Sequence, residues 1–244
     1  MQELSTLAST SAEHFSILRD SPKPINKRSI TLYLGVLAFH LITLWFFGVT
    51  PIAITKLALL PTLYGLCLLV NRRVPFGWTI AILFSWIGDI LLLRQFGGGP
   101  FFLAGMGAFL IAQLAYCKLL LERGARFSLP SIAIIAAVAI AVECGLAFTT
   151  ADVFLRVGIG LYGASLLAMM MLALSLKQEF TNPIKIGAVL FLFSDSLIAL
   201  RMLVIPDYHP TLLRTIVMCT YGLAQLYLAW VIIHKVNAPD KELI

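Results

Sequence analysis

Two stretches of this 244-residue chain put an aspartate where apolar residues belong: "LFSWIGDILLLR" at 83–94 and "LFLFSDSLIALR" at 190–201. Each has an apolar lead-in, a small residue, Asp89 or Asp195, and an apolar run ending in arginine. An ionised Asp at mid-membrane costs about 2.5–3.5 kcal/mol even on the lenient insertion scale, so such residues face a bundle interior and mark function. Two carboxylates in a partly dry cavity are the minimum set for acid/base hydrolysis without a metal or a covalent serine. Burial and mutual repulsion keep one protonated as an acid, while a cation such as Lys56 holds the other ionised as a base.

Other chemistries find less support in the residues. No G-x-S-x-G occurs, so the serine-hydrolase elbow is missing. His14, His40, His209 and His234 are scattered and do not form a zinc ligand set. We therefore expect neither metal nor cofactor. Cys67, Cys117, Cys144 and Cys219 lie in apolar runs without paired spacing and read as packing residues. Most of the net charge of +6 flanks apolar runs, which argues for a membrane partner and against nucleic acid.

The elements that position the aspartates follow from composition. With 60% hydrophobic and 12% charged residues and a mean hydropathy of +0.94, the chain is an all-α polytopic membrane protein. Apolar runs bounded by Pro, Gly or charge predict eight transmembrane helices, at 30–48, 51–70, 76–94, 100–121, 129–149, 152–176, 183–205 and 211–235. We expect a polar cytoplasmic tail over 1–29, an eight-helix catalytic domain over 30–235 and a cytoplasmic C-terminal tail over 236–244. Thirteen of the 18 Lys and Arg residues fall on the side of the N-terminus. Both termini are therefore expected in the cytoplasm, and the compact chain fits a bacterial inner membrane. Trp78 and Trp230 near inner helix ends, and Trp45 near an outer one, suit interfacial anchors.

The aspartates are 106 residues apart, and "AQL" recurs in the following helix of each half, at 112–114 and 224–226. This echo predicts two parallel four-helix repeats about an axis along the membrane normal, with Asp89 and Asp195 at equal height across a central cavity. By helical rise, Asp89 lies roughly 20 Å and Lys56 roughly 24 Å from the cytoplasmic side, close enough in level to pair. Lys56 as a snorkelling residue is the other reading. Glu143 and Arg156 either form a second pair or reach the interface separately. Tyr116, Tyr162, Tyr221, Gln113 and Gln225 add hydrogen-bonding groups, and together with the carboxylates they suggest a polar chamber.

The order of short motifs carries a resemblance. Lys56 and Pro61 in the second helix are followed by Ser85, Gly88, Asp89 and Leu92 in the third. Phe102, Gly105, Phe109 and Tyr116 lie in the fourth, Phe191, Ser194, Asp195 and Ser196 in the seventh, and Tyr221, Ala224 and Gln225 in the eighth. This pattern resembles the lysoplasmalogenase family, the YhhN-like membrane proteins. The resemblance implies an eight-helix membrane hydrolase that cleaves the vinyl ether bond of a lysophospholipid substrate, releasing a fatty aldehyde and glycerophosphoethanolamine or glycerophosphocholine. Asp89 and Asp195 are then the catalytic pair. Lys56, Ser85, Gln113, Tyr116, Tyr162, Ser194, Tyr221 and Gln225 bind substrate or support the pair. Where the family leads us to expect His in the fourth helix, this chain has Gln113. Lys56, Arg94 or Arg201 is expected to receive the lipid phosphate. A proton-coupled transporter and a lipid-binding membrane protein are the rival readings.

Overall fold

A computed structural model describes residues 27–70, 74–93, 99–148, 152–177, 181–203 and 209–229. The tail over 1–26, the stretch 230–244 with Trp230 and His234, and Arg94 lie outside the described residues. Within them the chain forms eight helices and no strand. These are α1 (Lys27–Phe46), α2 (Val49–Val70), α3 (Phe76–Leu93), α4 (Gly99–Glu122), α5 (Leu129–Ala147), α6 (Val153–Ser175), α7 (Asn182–Leu203) and α8 (Pro210–Leu228). Helices close every backbone hydrogen bond internally, which hydrocarbon demands. Large apolar side chains face outward, with Leu129 85% and Phe154 83% exposed, as in a protein whose solvent is lipid.

Six helices, α2 to α7, are long and apolar enough to span a membrane by themselves. The apolar part of α1, Ile30–Phe46, is shorter. The eighth helix is less apolar because it carries Arg214, Thr215, Thr220, Tyr221 and Gln225; Tyr221 and Gln225 are buried.

Helix ends are set by local chemistry. At the end of α4, Gly124 adopts φ 89°, and bonds from its N–H to Leu121 O (3.1 Å) and from Ala125 N–H to Leu120 O (3.0 Å) close a Schellman turn. Ser128 and Ser131 form a capping box for α5, and Asp152 caps α6 by accepting from Leu155 N at 3.1 Å. His209, at φ 36°, turns the chain into α8 with Pro210 in its first turn.

Helices α1, α2, α3, α4, α6, α7 and α8 pack in that cyclic order into a closed ring, and α5 lies outside it, touching α6. Only 6% of the span of α5 is buried, so the Glu143–Arg156 pair, 2.6 Å between Oε1 and Nη2, is a main polar tie to the ring. This settles the alternatives for those two residues in favour of pairing. The expected repeat is visible in the neighbours: α1–α2, α2–α3, α3–α4 and α2–α8 correspond to α5–α6, α6–α7, α7–α8 and α6–α4. Among the described residues it breaks at one contact, since α1 packs on α8 but α5 does not pack on α4. There, Tyr33 donates to Gly222 O at 2.9 Å, and the side chain of Leu37 fills the space a Cβ on Gly222 would need.

The α7–α8 contact depends on Gly187, where an added Cβ would meet Tyr227 Cβ at 2.9 Å and the α8 backbone at 3.0 Å. Gly187→Ala should therefore lower stability in detergent by about 1–3 kcal/mol. Gly35→Ala, which meets open space, should leave the thermal midpoint unchanged or slightly raised.

Candidate functional site

Pro61 lies inside α2 and has no N–H to give to the carbonyl four residues earlier. That carbonyl, Leu57 O, accepts instead from Trp86 Nε1 of α3 at 2.9 Å. The bond pins α2 to α3 beside Lys56 and one turn before Asp89. Lys56 Nζ then meets Asp89 Oδ1 at 3.1 Å, with side chains 15% and 4% exposed. Lys56 is thus a part-buried partner of Asp89 and not a snorkelling residue. The other carboxylate oxygen, Oδ2, accepts from Tyr221 Oη of α8 at 2.8 Å. At Thr55, next to Lys56 in the chain, a cluster of His40 Nδ1, Thr43 Oγ1 and Thr55 Oγ1, at 2.8 and 3.1 Å, stitches α1 to α2.

Asp195 has a different setting. Its Oδ2 accepts from Tyr162 Oη of α6, no cation pairs with it among the described residues, and it is half-buried. Both carboxylates line one cavity of about 460 Å³. Phe109 stands between the two tyrosines, tilted to Tyr162 at 6.5 Å and edge-on to Tyr221 at 6.2 Å. The ring fits there because Gly88, next to Asp89, has no Cβ; an added one would lie 2.5 Å from the ring.

Sequence spacing exposes a duplicated site in these contacts. Asp89 and Asp195 differ by 106 positions, as do their partners on the preceding helices, Lys56 and Tyr162. Phe109 and Tyr221 differ by 112, as do Gln113 and Gln225. Each half thus supplies one carboxylate and a partner for it, but one partner is a cation and the other a neutral phenol.

Of the residues singled out from sequence, Lys56, Asp89, Tyr162, Ser194, Asp195 and Tyr221 line the cavity. Ser194 Oγ donates to Val217 O at 3.1 Å. Ser85, Gln113, Tyr116 and Gln225 do not line it. Ser85, Gln113 and Gln225 sit about one helical turn beneath Asp89, Phe109 and Tyr221, all fully buried. Tyr116 donates to Gln225 Oε1 at 2.7 Å, so the single expected chamber is a cavity over a polar layer. The apolar wall of Leu92, Phe102, Leu103, Met106, Leu155 and Ile159 was not foreseen beyond its motif residues, because an apolar residue in an apolar helix carries no signal of its own. Trp86 was also missed, although Pro61 announced a freed carbonyl.

No three His, Cys, Asp or Glu side chains cluster among the described residues; the polar groups that line the cavity include the carboxylates, Lys56, Arg201, Ser194 and the two tyrosines. The fold and site define a polytopic helical membrane protein with two unequal carboxylates facing one intramembrane cavity. The sequence profile of the YhhN family matches residues 45–232, and the chain belongs to that family. No curated protein and no solved structure matches it.

Lys56→Met would strand a buried carboxylate and should destabilise the protein by about 3–5 kcal/mol. Adding Asp89→Asn to it should recover much of that loss in a thermal unfolding assay, whereas two independent residues would give additive losses.

Proposed function

We propose that the protein hydrolyses the vinyl ether bond of lysoplasmalogens, with Asp195 as the acid and Asp89 as the base. The observation that carries this reading is the unequal environment of two carboxylates at one cavity: Asp89 pairs with the Lys56 ammonium at 3.1 Å, while Asp195 accepts from a phenol and has no cation partner among the described residues. Membership of the YhhN family, the lysoplasmalogenase family, points to the same activity.

The reaction begins when Asp195 gives its proton to the vinyl carbon remote from oxygen. A C–H bond forms, the π pair is consumed, and an oxocarbenium ion results, with Asp195 left as carboxylate. Asp89, as the carboxylate, stabilises that cation and takes a proton from the water that attacks it. The product is a hemiacetal. Asp89 then returns its proton to the glycerol oxygen as the C–O bond breaks, and Asp195 takes the hemiacetal hydroxyl proton as the aldehyde forms. Both residues end as they began, and the net change is addition of one water. Two carboxyl groups divide similar duties around a similar cation in glycoside hydrolysis.

The apolar wall suits the alkenyl chain, and the volume is within the range of small-molecule pockets. The excess of Lys and Arg on the N-terminal side argues for cytoplasmic termini. The cavity then opens toward the opposite leaflet, because its residues occupy the C-terminal half of α3 and the N-terminal half of α4.

Purified protein in detergent micelles, given a lysoplasmalogen, should release fatty aldehyde. Asp195→Asn and Asp89→Asn should each reduce the rate by at least about 100-fold, the usual scale of lost acid or base catalysis. A carrier or lipid-binding protein yields no aldehyde in micelles, and wild-type rates in both folded variants would refute the mechanism.

A further inference from the structure

The cavity has two unlike sides at its mouth. On the α7–α8 side, Arg201 lines it. Arg214 lies on the face of α8 that carries the lining residues Val217, Met218 and Tyr221, at the helical spacings i+3, i+4 and i+7. Arg201 is in the last turn of α7 and Arg214 near the start of α8, two helices that pack against each other, and neither has a carboxylate partner among the described residues. Both arginines are half-buried. The acidic residue at the same mouth, Asp152, caps α6. On the α4 side the wall is apolar, with Phe102 and Leu103; Phe102 stands 112 positions before Arg214, at the equivalent place in the first half.

Two guanidinium groups without carboxylate partners among the described residues, on adjoining helices and one of them lining the cavity, offer an anion their planar forks, which match a phosphate ester. We propose that Arg201 and Arg214 form an anion subsite that takes the phosphodiester of a single-chain lipid whose chain lies along the α4–α6 wall. The proposal rests on the hydrolase reading for the identity of that lipid. Spacing agrees with it. Arg201 lies six residues, about 9 Å, beyond Asp195 along α7, and Arg214 seven residues, about 10 Å, before Tyr221 along α8. Six bonds separate the ether-linked alkenyl carbon from phosphorus, roughly 7 Å at the ~1.2 Å per bond of an extended chain. A phosphate held by the arginines therefore puts the vinyl ether at the level of the carboxylates, and the subsite works as a ruler.

Binding of two ligands without a vinyl ether tests this, so the result does not depend on hydrolysis. These are a saturated 1-O-alkyl lysophosphoethanolamine and the matching 1-O-alkylglycerol, titrated calorimetrically against the full-length protein in nonionic detergent. The wild type should prefer the phospholipid by about tenfold or more. Arg201→Gln and Arg214→Gln should each remove most of that preference, Arg201→Lys should keep part of it, and alkylglycerol binding should stay unchanged in all three. Equal binding of both ligands by the wild type, or parallel loss of both in the variants, would overturn the subsite. Binding of inorganic phosphate that leaves the lipid preference absent would overturn the lipid assignment.

Discussion

A lysine and an aspartate paired in the middle of an apolar bundle are costly to hold, and the site is organised around keeping that pair together. Desolvating two charges costs several kcal/mol per ion unless geometry and further hydrogen bonds compensate. Here the compensation comes from four helices. The Trp86 bond to the carbonyl freed by Pro61 fixes α2 against α3, Tyr221 brings α8 to the second carboxylate oxygen, and the His40–Thr55 contact secures α1 to α2 next to the lysine in the chain. The pair therefore fixes relative helix positions as well as one charge.

The same pair breaks the equivalence of two related half-sites. At matched positions one half offers Lys56 to its aspartate and the other offers Tyr162. A symmetric pair of carboxylates would have no defined division of labour, whereas here one has a cation beside it and the other, among the described residues, does not. The second departure from symmetry, Phe109 at the position matching Tyr221, gives Asp89 a phenol donor from α8 where the other half has a plain ring. In the proposed mechanism, this divergence within a repeated fold is what would make an acid and a base of two identical residues.

Much of this was legible before any coordinates. Charged residues inside apolar runs are conspicuous, so Asp89, Asp195, Lys56 and the Glu143–Arg156 couple stood out, and the eight helices begin within three residues of the apolar runs that predict them, the end expected at 235 lying outside the described residues. Less was legible where lipid erases the signal. In a membrane helix the inner and outer faces are both apolar, so nothing in α5 marked it as lying outside the ring, and nothing in Met106 or Ile159 marked them as cavity wall. Depth was equally hidden: Gln113 and Gln225 share a helix face with site residues, but one turn of rise puts them beneath the cavity instead of in it.

The central claim is that a carboxylic acid in this cavity protonates carbon. Its most direct measurement is the mass of the aldehyde released in D2O, with the reaction quenched before slow exchange at the product. Proton transfer from Asp195 predicts one deuterium on the carbon next to the carbonyl in every aldehyde released by the wild type, and almost no aldehyde from Asp195→Asn. An aldehyde without that deuterium, or deuterated aldehyde released by Asp195→Asn at the wild-type rate, would contradict the account.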